Sequence, residues 1–239
     1  MKVKIYSLVT LAAALLALSA SPALALDATS ACHLGACSEA ELNAPVPGTE
    51  QLDEERPLVL DAYRAYEPPT YDPSWGVRPR LYAKAVDYYR SQQGRISNSR
   101  YLTIIDMSMH SSAKRYFLFD LATGKVEKHN VSHGEGSDPD RDGWATKFSN
   151  TPDSHMSSLG FYVTLGTYQG SNGYSMKLRG LQSTNDNAEK RFVVVHPAKY
   201  VSDSQNKAGL SWGCPAIDPK VSKSVINKIK GGSLFLIED

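Results

Sequence analysis

The sequence lacks a net charge of either sign, because 26 Lys and Arg residues stand against 25 Asp and Glu residues among 239. A chain without a basic excess has no long-range field that would concentrate nucleic acid or hold the protein on an anionic membrane. We therefore expect no nucleic-acid partner. Hydrophobic residues make up 41% of the chain, which is ordinary for a globular protein with a sizeable core.

Long hydrophobic runs are also missing, with one exception at the N-terminus. A basic start at residues 1–4 precedes an apolar run at 9–18, and Ala23-Leu24-Ala25 follows it. This pattern is typical of a secretory signal peptide that is cleaved after Ala25. The apolar run is short for a membrane span, which needs about 20 residues. We expect residues 1–25 to be removed, leaving a periplasmic or otherwise exported protein of the cell envelope without stable membrane insertion.

Cysteine is scarce, with three residues in the chain. Cys32 and Cys37 lie close together near the expected mature N-terminus, where they form a short disulfide loop or remain two free thiols on an arm. Metal binding by these cysteines and His33 would need a fourth ligand that the local sequence does not offer. Cys214 is left without a partner, and an odd thiol in an exported protein is a candidate reactive group.

A second possible metal site is the acidic segment 138–143. It matches the first half of a calcium loop, with alternating carboxylates and a glycine at the sixth place. The twelfth position is Ser149, where a bidentate glutamate is needed, so we expect a solvated acidic turn. No cofactor and no metal ion is predicted.

Hydrophobic periodicity divides the chain into a leader, a linker and a mainly β domain. Residues 26–78 lack sustained periodicity and contain several prolines, which predicts an extended linker or wrap. Residues 79–239 form the predicted catalytic domain, with one amphipathic helix at 79–93, a β core at 100–239 and a second helix at 219–230. The predicted strands are 101–107, 115–121, 126–132, 160–167, 174–178, 191–196 and 233–237.

Two segments carry residues suited to nucleophilic chemistry. His196 ends a predicted strand, just before Pro197 prevents further pairing. Cys214 follows 18 positions later (214 − 196) in the segment Ser211-Trp212-Gly213-Cys214-Pro215-Ala216. A histidine within hydrogen-bond reach would favour the thiolate, which is the nucleophilic form, and Gly213 permits a tight turn whose amides form an oxyanion hole.

Each of these residues also has an ordinary structural explanation. A lone cysteine is more often a buried small hydrophobic residue than a nucleophile, and a histidine at a strand end is often a surface group. The free thiol of Cys214 and the strand-end position of His196 together favour catalysis. His133, Tyr174 and Trp212 are weaker candidates for groove walls or an oxyanion donor, with core or surface packing as the alternative.

The segments around Val195-His196 and Ser211 to Ala216 resemble the histidine and Ser-x-Gly-Cys motifs of the peptidoglycan L,D-transpeptidases, in the subgroup with Gly-Cys-Pro-Ala. The resemblance covers approximately residues 100–239. It implies a YkuD-like β-sandwich with a few supporting helices, Cys214 as nucleophile, His196 as base, and amides around Gly213 and Cys214 as the oxyanion hole. Further similar segments are Ser132-His133-Gly134, Phe148-Ser149-Asn150-Thr151-Pro152, Ser157-Ser158-Leu159-Gly160-Phe161-Tyr162 and Gly231-Gly232-Ser233-Leu234.

The resemblance implies a two-step acyl transfer on peptidoglycan stem peptides. Cys214 attacks the carbonyl at the L-centre of meso-diaminopimelate in a stem tetrapeptide, the terminal D-Ala leaves, and an amine of a second stem takes the acyl group. If water enters in place of the amine, the enzyme is an L,D-carboxypeptidase. A third possibility is a wall-binding protein that has lost activity.

The sequence departs from the commoner family pattern at three positions. His196 is followed by Pro197 instead of glycine, Trp212 replaces a histidine, and no arginine closely follows Cys214. Such an arginine is expected to support the site or an anionic substrate. The sequence therefore leaves open how the substrate is anchored.

Overall fold

The structure, a computed structural model, describes residues 66–239. The predicted signal peptide and the Cys32 and Cys37 pair lie outside the described residues. The helices are α1 (Pro79–Ser91) and α2 (Pro219–Ile229), and short 3-10 turns occupy Pro73–Trp75, Gln93–Arg95 and Glu135–Ser137. In chain order, the strands are β1 (Tyr101–Asp106), β2 (Tyr116–Asp120), β3 (Lys125–His129), β4 (His133–Gly134), β5 (Gly160–Gly170), β6 (Gly173–Gly180), β7 (Val194–Pro197), β8 (Val201–Ser202), β9 (Lys207–Ala208), β10 (Leu210–Ser211), β11 (Ala216–Ile217) and β12 (Leu234–Glu238).

Eight strands form one mixed sheet in the order β11-β7-β6-β5-β12-β1-β2-β3. Strand β12 pairs parallel with β1, β11 pairs parallel with β7, and the other neighbours are antiparallel. The β5–β6 hairpin shifts register between Thr164 and Thr167. Two additional two-stranded pairs, β4 with β10 and β8 with β9, lie outside this sheet. The predicted mainly β class with a few supporting helices is confirmed.

The sequences of the central strands are continuous apolar runs, because both faces of the sheet are covered. On one face, the side chains of Leu102 and Ile104 from β1 pack in the cluster that contains Leu81 and Tyr89 of α1. On the other face, Ile105 belongs to the cluster that contains residues of α2. Adjacent β1 residues thus point to opposite faces, as the period of a strand requires.

Local sequence signals set the helix boundaries. Helix α1 begins with a proline at its first position, where the missing N–H costs no hydrogen bond. The side chain of Asp218 caps α2 by accepting the Lys220 backbone N–H at 2.8 Å. Helix α2 ends before Gly231 and Gly232, whose φ angles of 79° and 107° favour glycine. The helices end two and one residues before the predicted ends at 93 and 230.

Part of the segment predicted as a linker or wrap is packed on the sheet. The Trp75 ring lies edge-on to the rings of Tyr71, Tyr82 and Phe119, with centroid distances of 5.9, 5.2 and 5.3 Å. Contacts of this kind stabilise a protein beyond the area that they bury. Within residues 66–239, neither helix combines the length and apolar character of a membrane span.

Candidate active site

His196 and Cys214 lie on neighbouring parts of the sheet edge. His196 is in β7, where it is the register partner of Ala216 in β11, and Cys214 precedes that strand by two residues. The parallel pairing of β7 and β11 therefore brings the two sequence motifs together, although 18 positions separate the histidine from the cysteine. Strand β11 begins only at Ala216, so Cys214 lies in the turn that precedes this strand.

The His196 ring has a defined tautomer and is buried. Its Nδ1 lies 2.9 Å from the carbonyl oxygen of Pro197, and this oxygen can only accept, so Nδ1 carries the proton. Burial lowers the pKa of His196, while the bond to Pro197 opposes this shift. A neutral ring follows whose Nε2 has no hydrogen-bond partner in residues 66–239, and this nitrogen is able to take a proton.

The Cys214 thiol is half-buried and bonded to backbone. Its Sγ lies 3.5 Å from the carbonyl oxygen of Phe192, to which it donates. Burial raises the pKa of the thiol, and the Val194 amide and the Arg191 cation act in the opposite direction. Within the described residues, no hydrogen bond joins Sγ to the His196 ring. The resting group is therefore a thiol, and the assignment of Cys214 and His196 as a catalytic pair stays a prediction.

The turn before Cys214 requires glycine at position 213. Gly213 has a φ of 111°, and a Cβ there would lie 2.6 Å from the Met156 carbonyl oxygen. The Gly213 amide donates to the Ser211 hydroxyl at 3.1 Å, and that hydroxyl lies 2.7 Å from the Cys214 carbonyl oxygen. The Gly213 N–H is thus engaged by Ser211 in this geometry, and its use as an oxyanion donor stays a prediction. The Cys214 N–H has no acceptor in the described part of the chain.

Two serines hold the backbone of the turn from both sides. The Ser211 hydroxyl is buried and lies 3.2 Å from the His133 carbonyl oxygen. It is therefore not free to contact a substrate. Ser132 donates to the Cys214 carbonyl oxygen at 3.1 Å and accepts the Ala216 amide at 3.0 Å. The Ser132-His133-Gly134 segment was noted in the sequence, but the contact of Ser132 with this turn was not predicted.

Arg191 is a functional candidate that the sequence did not reveal. Its guanidinium donates to the carbonyl oxygens of Ser149 and Met156 at 2.8 and 2.6 Å, and lies 3.3 Å from the Ser154 hydroxyl. All three acceptors are uncharged, whereas a guanidinium has five N–H donors. No carboxylate lies within 4.0 Å of it in the described residues. Arg191 therefore brings a partly buried positive charge close to Cys214.

Replacing Arg191 by glutamine is expected to slow iodoacetamide labelling of Cys214 at neutral pH by about three- to tenfold. The cation lowers the pKa of the thiol, so its loss raises that pKa and decreases the thiolate fraction. The rate profile against pH should accordingly move to higher pH. The measurement is the labelling rate of Cys214 between mildly acidic and alkaline pH, read by peptide mass mapping.

Two variants control this experiment. Arg191→Lys keeps the positive charge and is expected to retain most of the labelling rate. Arg179→Gln removes an exposed arginine of β6 that pairs with Glu189, and should leave the profile in place. An unchanged profile in Arg191→Gln would show that Arg191 only holds the loop around Met156.

Two exposed aromatic residues belong to the segments around Cys214. Phe192 is 80% exposed and has a φ of 55°, a strained conformation for a bulky residue that turns its carbonyl oxygen to Cys214. Trp212 is 72% exposed, and its ring stacks on His155 with a centroid distance of 4.7 Å. His155 is held in turn by Glu135, at 2.8 Å from Nδ1 to the carboxylate. The prediction of Trp212 as a groove wall is compatible with this exposed position.

His133 lies in the interior and not in a groove. Its Nδ1 is 2.6 Å from the Arg115 guanidinium, and its Nε2 is 3.2 Å from the Asp138 carboxylate. Burial, followed by the Arg115 charge, lowers the pKa of His133 to about 4, so the ring is neutral. A fully buried ring with both nitrogens occupied cannot contact a substrate, and this corrects the prediction that it is a substrate or oxyanion residue.

Tyr174 is also not brought to the thiol. Its hydroxyl donates to the Asn227 side chain of α2 at 2.9 Å, on the face of the sheet that carries this helix.

The acidic segment 138–143 folds back on its first carboxylate. Asp138 accepts the Asp142 and Gly143 amides at 3.1 and 2.9 Å. Among residues 66–239, no cluster of three His, Cys, Asp or Glu residues has the arrangement of a metal site.

Comparison with solved structures gives distant likenesses to transpeptidases. The L,D-transpeptidase from Mycobacterium smegmatis is 14% identical, with 59% of each chain covered and a TM-score of 0.37. L,D-transpeptidase 3 from Mycobacterium tuberculosis, in complex with a faropenem-derived adduct, is 12% identical, with 59% of this chain and 60% of that chain covered and a TM-score of 0.38. The chain thus spans about three fifths of the length of these relatives.

Sequence comparison gives a longer match. No curated protein matches the chain. A sequence model of the L,D-transpeptidase catalytic domain matches residues 74–237, which include both helices, the eight-stranded sheet and the segments around His196 and Cys214. This match covers more than half of the chain, and it is the observation on which membership rests. The chain belongs to the L,D-transpeptidase catalytic domain family.

Proposed function

We propose that the protein is a cysteine acyltransferase that performs L,D-transpeptidation on peptidoglycan stem peptides through a thioester on Cys214. The observation that carries this proposal is the His196 ring, whose Nδ1 proton is committed to the Pro197 carbonyl and whose Nε2 is bare, on the strand paired beside the Cys214 turn. A neutral imidazole is the form that a general base needs. Membership of the transpeptidase family supports the choice of substrate.

In the first step, the Cys214 proton moves to His196 Nε2 as Sγ attacks the donor carbonyl at the L-centre of the third stem residue. A Sγ–C bond forms, and the carbonyl electron pair moves to oxygen. The uncommitted Cys214 N–H is suited to bind this oxyanion. The C–N bond to the terminal D-Ala then breaks, and His196 returns the proton to the departing amine.

In the second step, an amine of another stem attacks the thioester. His196 takes a proton from this amine, the C–S bond breaks, and the sulfur regains the proton. Arg191 stabilises the sulfur whenever it carries negative charge, because the guanidinium lies close to Cys214 and has no carboxylate of its own. Arg191 thereby supplies the cation that the sequence lacks after Cys214.

Peptidoglycan lies outside the cytoplasm, so the proposed reaction requires the protein in the periplasm or elsewhere in the cell envelope.

The purified protein is expected to convert a disaccharide-tetrapeptide into a cross-linked dimer with loss of one D-Ala, measured by mass spectrometry. His196→Ala should lower the rate by about 10²- to 10⁴-fold, which is the usual contribution of a general acid–base group. Circular dichroism of this variant must match that of the parent, because His196 lies in β7.

The alternatives give different products in the same assay. A trimmed tripeptide without cross-link identifies an L,D-carboxypeptidase, in which water replaces the acceptor amine. An unchanged tetrapeptide contradicts both enzymatic functions and favours a wall-binding protein without activity. A rate that His196→Ala leaves unaltered would remove His196 from the mechanism.

A further inference from the structure

A cavity of about 340 Å³ lies on strands β5, β6 and β7, and one of its lining residues is Phe192, whose carbonyl oxygen contacts Cys214. Its walls combine apolar and charged side chains. Tyr168, Phe192 and Val194 supply apolar surface, and Lys177 and Glu189 supply charges of opposite sign. A concave apolar site with a few polar groups is the usual form of a small-molecule site.

The cavity shares its wall with the backbone that contacts the thiol. The carbonyl oxygen of Phe192 accepts from Cys214 Sγ, and the Val194 amide acts on the sulfur to lower its pKa. Lys177 is the register partner of Val194 in the adjacent strand. Neighbouring strands lie about 4.8 Å apart, so Lys177 is one strand further from the thiol than Val194 is. A substrate side chain attached near the reacting carbonyl could cross β7 and reach this lysine.

The charge balance of the cavity favours an anion. Glu189 is already paired with Arg179 at 2.6 Å, and this contact lowers the pKa of Glu189. Lys177 has no carboxylate within 4.0 Å in the described residues, and its ammonium lies 5.8 Å from the centre of the Tyr168 ring. The Lys177 charge also acts on Glu189 and lowers its pKa, so the two cations Arg179 and Lys177 share one carboxylate. The exposed Lys177 side chain therefore leaves a net positive charge at the end of an apolar wall.

We propose that this cavity binds the side chain of the acyl donor when that side chain is an aliphatic chain ending in a carboxylate, with Lys177 as the partner of the carboxylate. The inference rests on the proposed function. A stem with diaminopimelate at its third position offers this group. A stem in which the distal carboxylate is amidated has the same shape without the charge, and a lysine stem lacks the group.

The test measures protection of Cys214 from iodoacetamide, which reports occupancy of the site without requiring turnover. Two tripeptide stems serve as probes, one with free diaminopimelate and one with its distal carboxylate amidated. The free acid should protect the wild-type protein at about three- to tenfold lower concentration than the amide, as expected for one partly exposed ion pair. Lys177→Met should abolish this preference. Lys220→Met, in an exposed lysine of α2, should retain it.

Equal protection by the two stems in the wild-type protein, or a preference that survives in Lys177→Met, would overturn the subsite. Absence of protection by either stem would overturn it as well. The proposed function fails by a different result, namely unchanged tetrapeptide in the mass assay. The two failures are therefore distinguishable, because one concerns the difference between two probes and the other concerns product formation.

Discussion

Replacing Cys214 by alanine is expected to abolish acyl transfer, with a rate loss of about 10⁴- to 10⁶-fold. In the proposed mechanism the sulfur forms the thioester, and no other described residue at the site is a thiol. The change should also remove the covalent adduct that the donor stem forms with the protein. The measurements are product formation from disaccharide-tetrapeptide and the intact mass of the protein after incubation.

The fold should tolerate this substitution, because the contacts that hold the turn come from backbone atoms of Cys214. Ser132 and Ser211 bond to its carbonyl oxygen and are unaffected by loss of the thiol. A thermal midpoint close to that of the parent is the required control. Residual transfer within about tenfold of the parent rate would mean that another group is the nucleophile.

Replacing Arg115 by methionine is expected to lower the free energy of unfolding by about 3–5 kcal/mol, since it leaves buried partners uncompensated. Arg115 is fully buried and donates to the carbonyl oxygens of Met109 and Val131, at 2.8 and 3.1 Å. It also donates to His133, which in turn contacts Asp138. Chemical denaturation of the parent and the variant measures the difference.

Arg100→Met provides the matched control. Arg100 is exposed and pairs with Asp120 at 2.8 Å, so its loss should change the free energy of unfolding by less than about 1 kcal/mol. A loss of similar size in both variants would show that the buried network around Arg115 has no special role. If Arg115→Met fails to fold, Arg115→Lys should fold with intermediate stability, because lysine keeps the charge but not the planar set of donors.

The sequence predicted those parts of the fold that depend on periodicity over five or more residues. β1, β2 and β12 are apolar runs, and the amphipathic patterns of α1 and α2 place their apolar faces on the two sides of the sheet. The short strands β4, β8, β9, β10 and β11 have two residues each, which is too few for a period-two pattern. Two of these short strands, β10 and β11, flank the Cys214 turn, so the sequence predicts the motif of the site and not its geometry.

Two roles at the site depend on contacts between distant segments. The sequence predicts Arg191 as the start of a strand, because nothing in it shows that the carbonyl oxygens of Ser149 and Met156 meet the guanidinium. The position of His133 after a predicted strand suggests an accessible side chain, yet Arg115 and Asp138 hydrogen-bond both nitrogens of its buried ring. Pairings of this kind arise from tertiary packing, which local sequence patterns do not encode.

The hydrogen bond from Cys214 Sγ to the Phe192 carbonyl affects how readily the resting thiol is oxidised. Thiolates, and not thiols, attack disulfides and are oxidised first to sulfenic acid. A cysteine that rests as a thiol, held by a backbone carbonyl and with a pKa raised by burial, reacts slowly with stray oxidants. Loss of the sulfur proton to His196 on arrival of a substrate would then limit high reactivity to the occupied site. In the proposed acyltransferase, the resting thiol would thereby resist oxidative inactivation without a dedicated reductant.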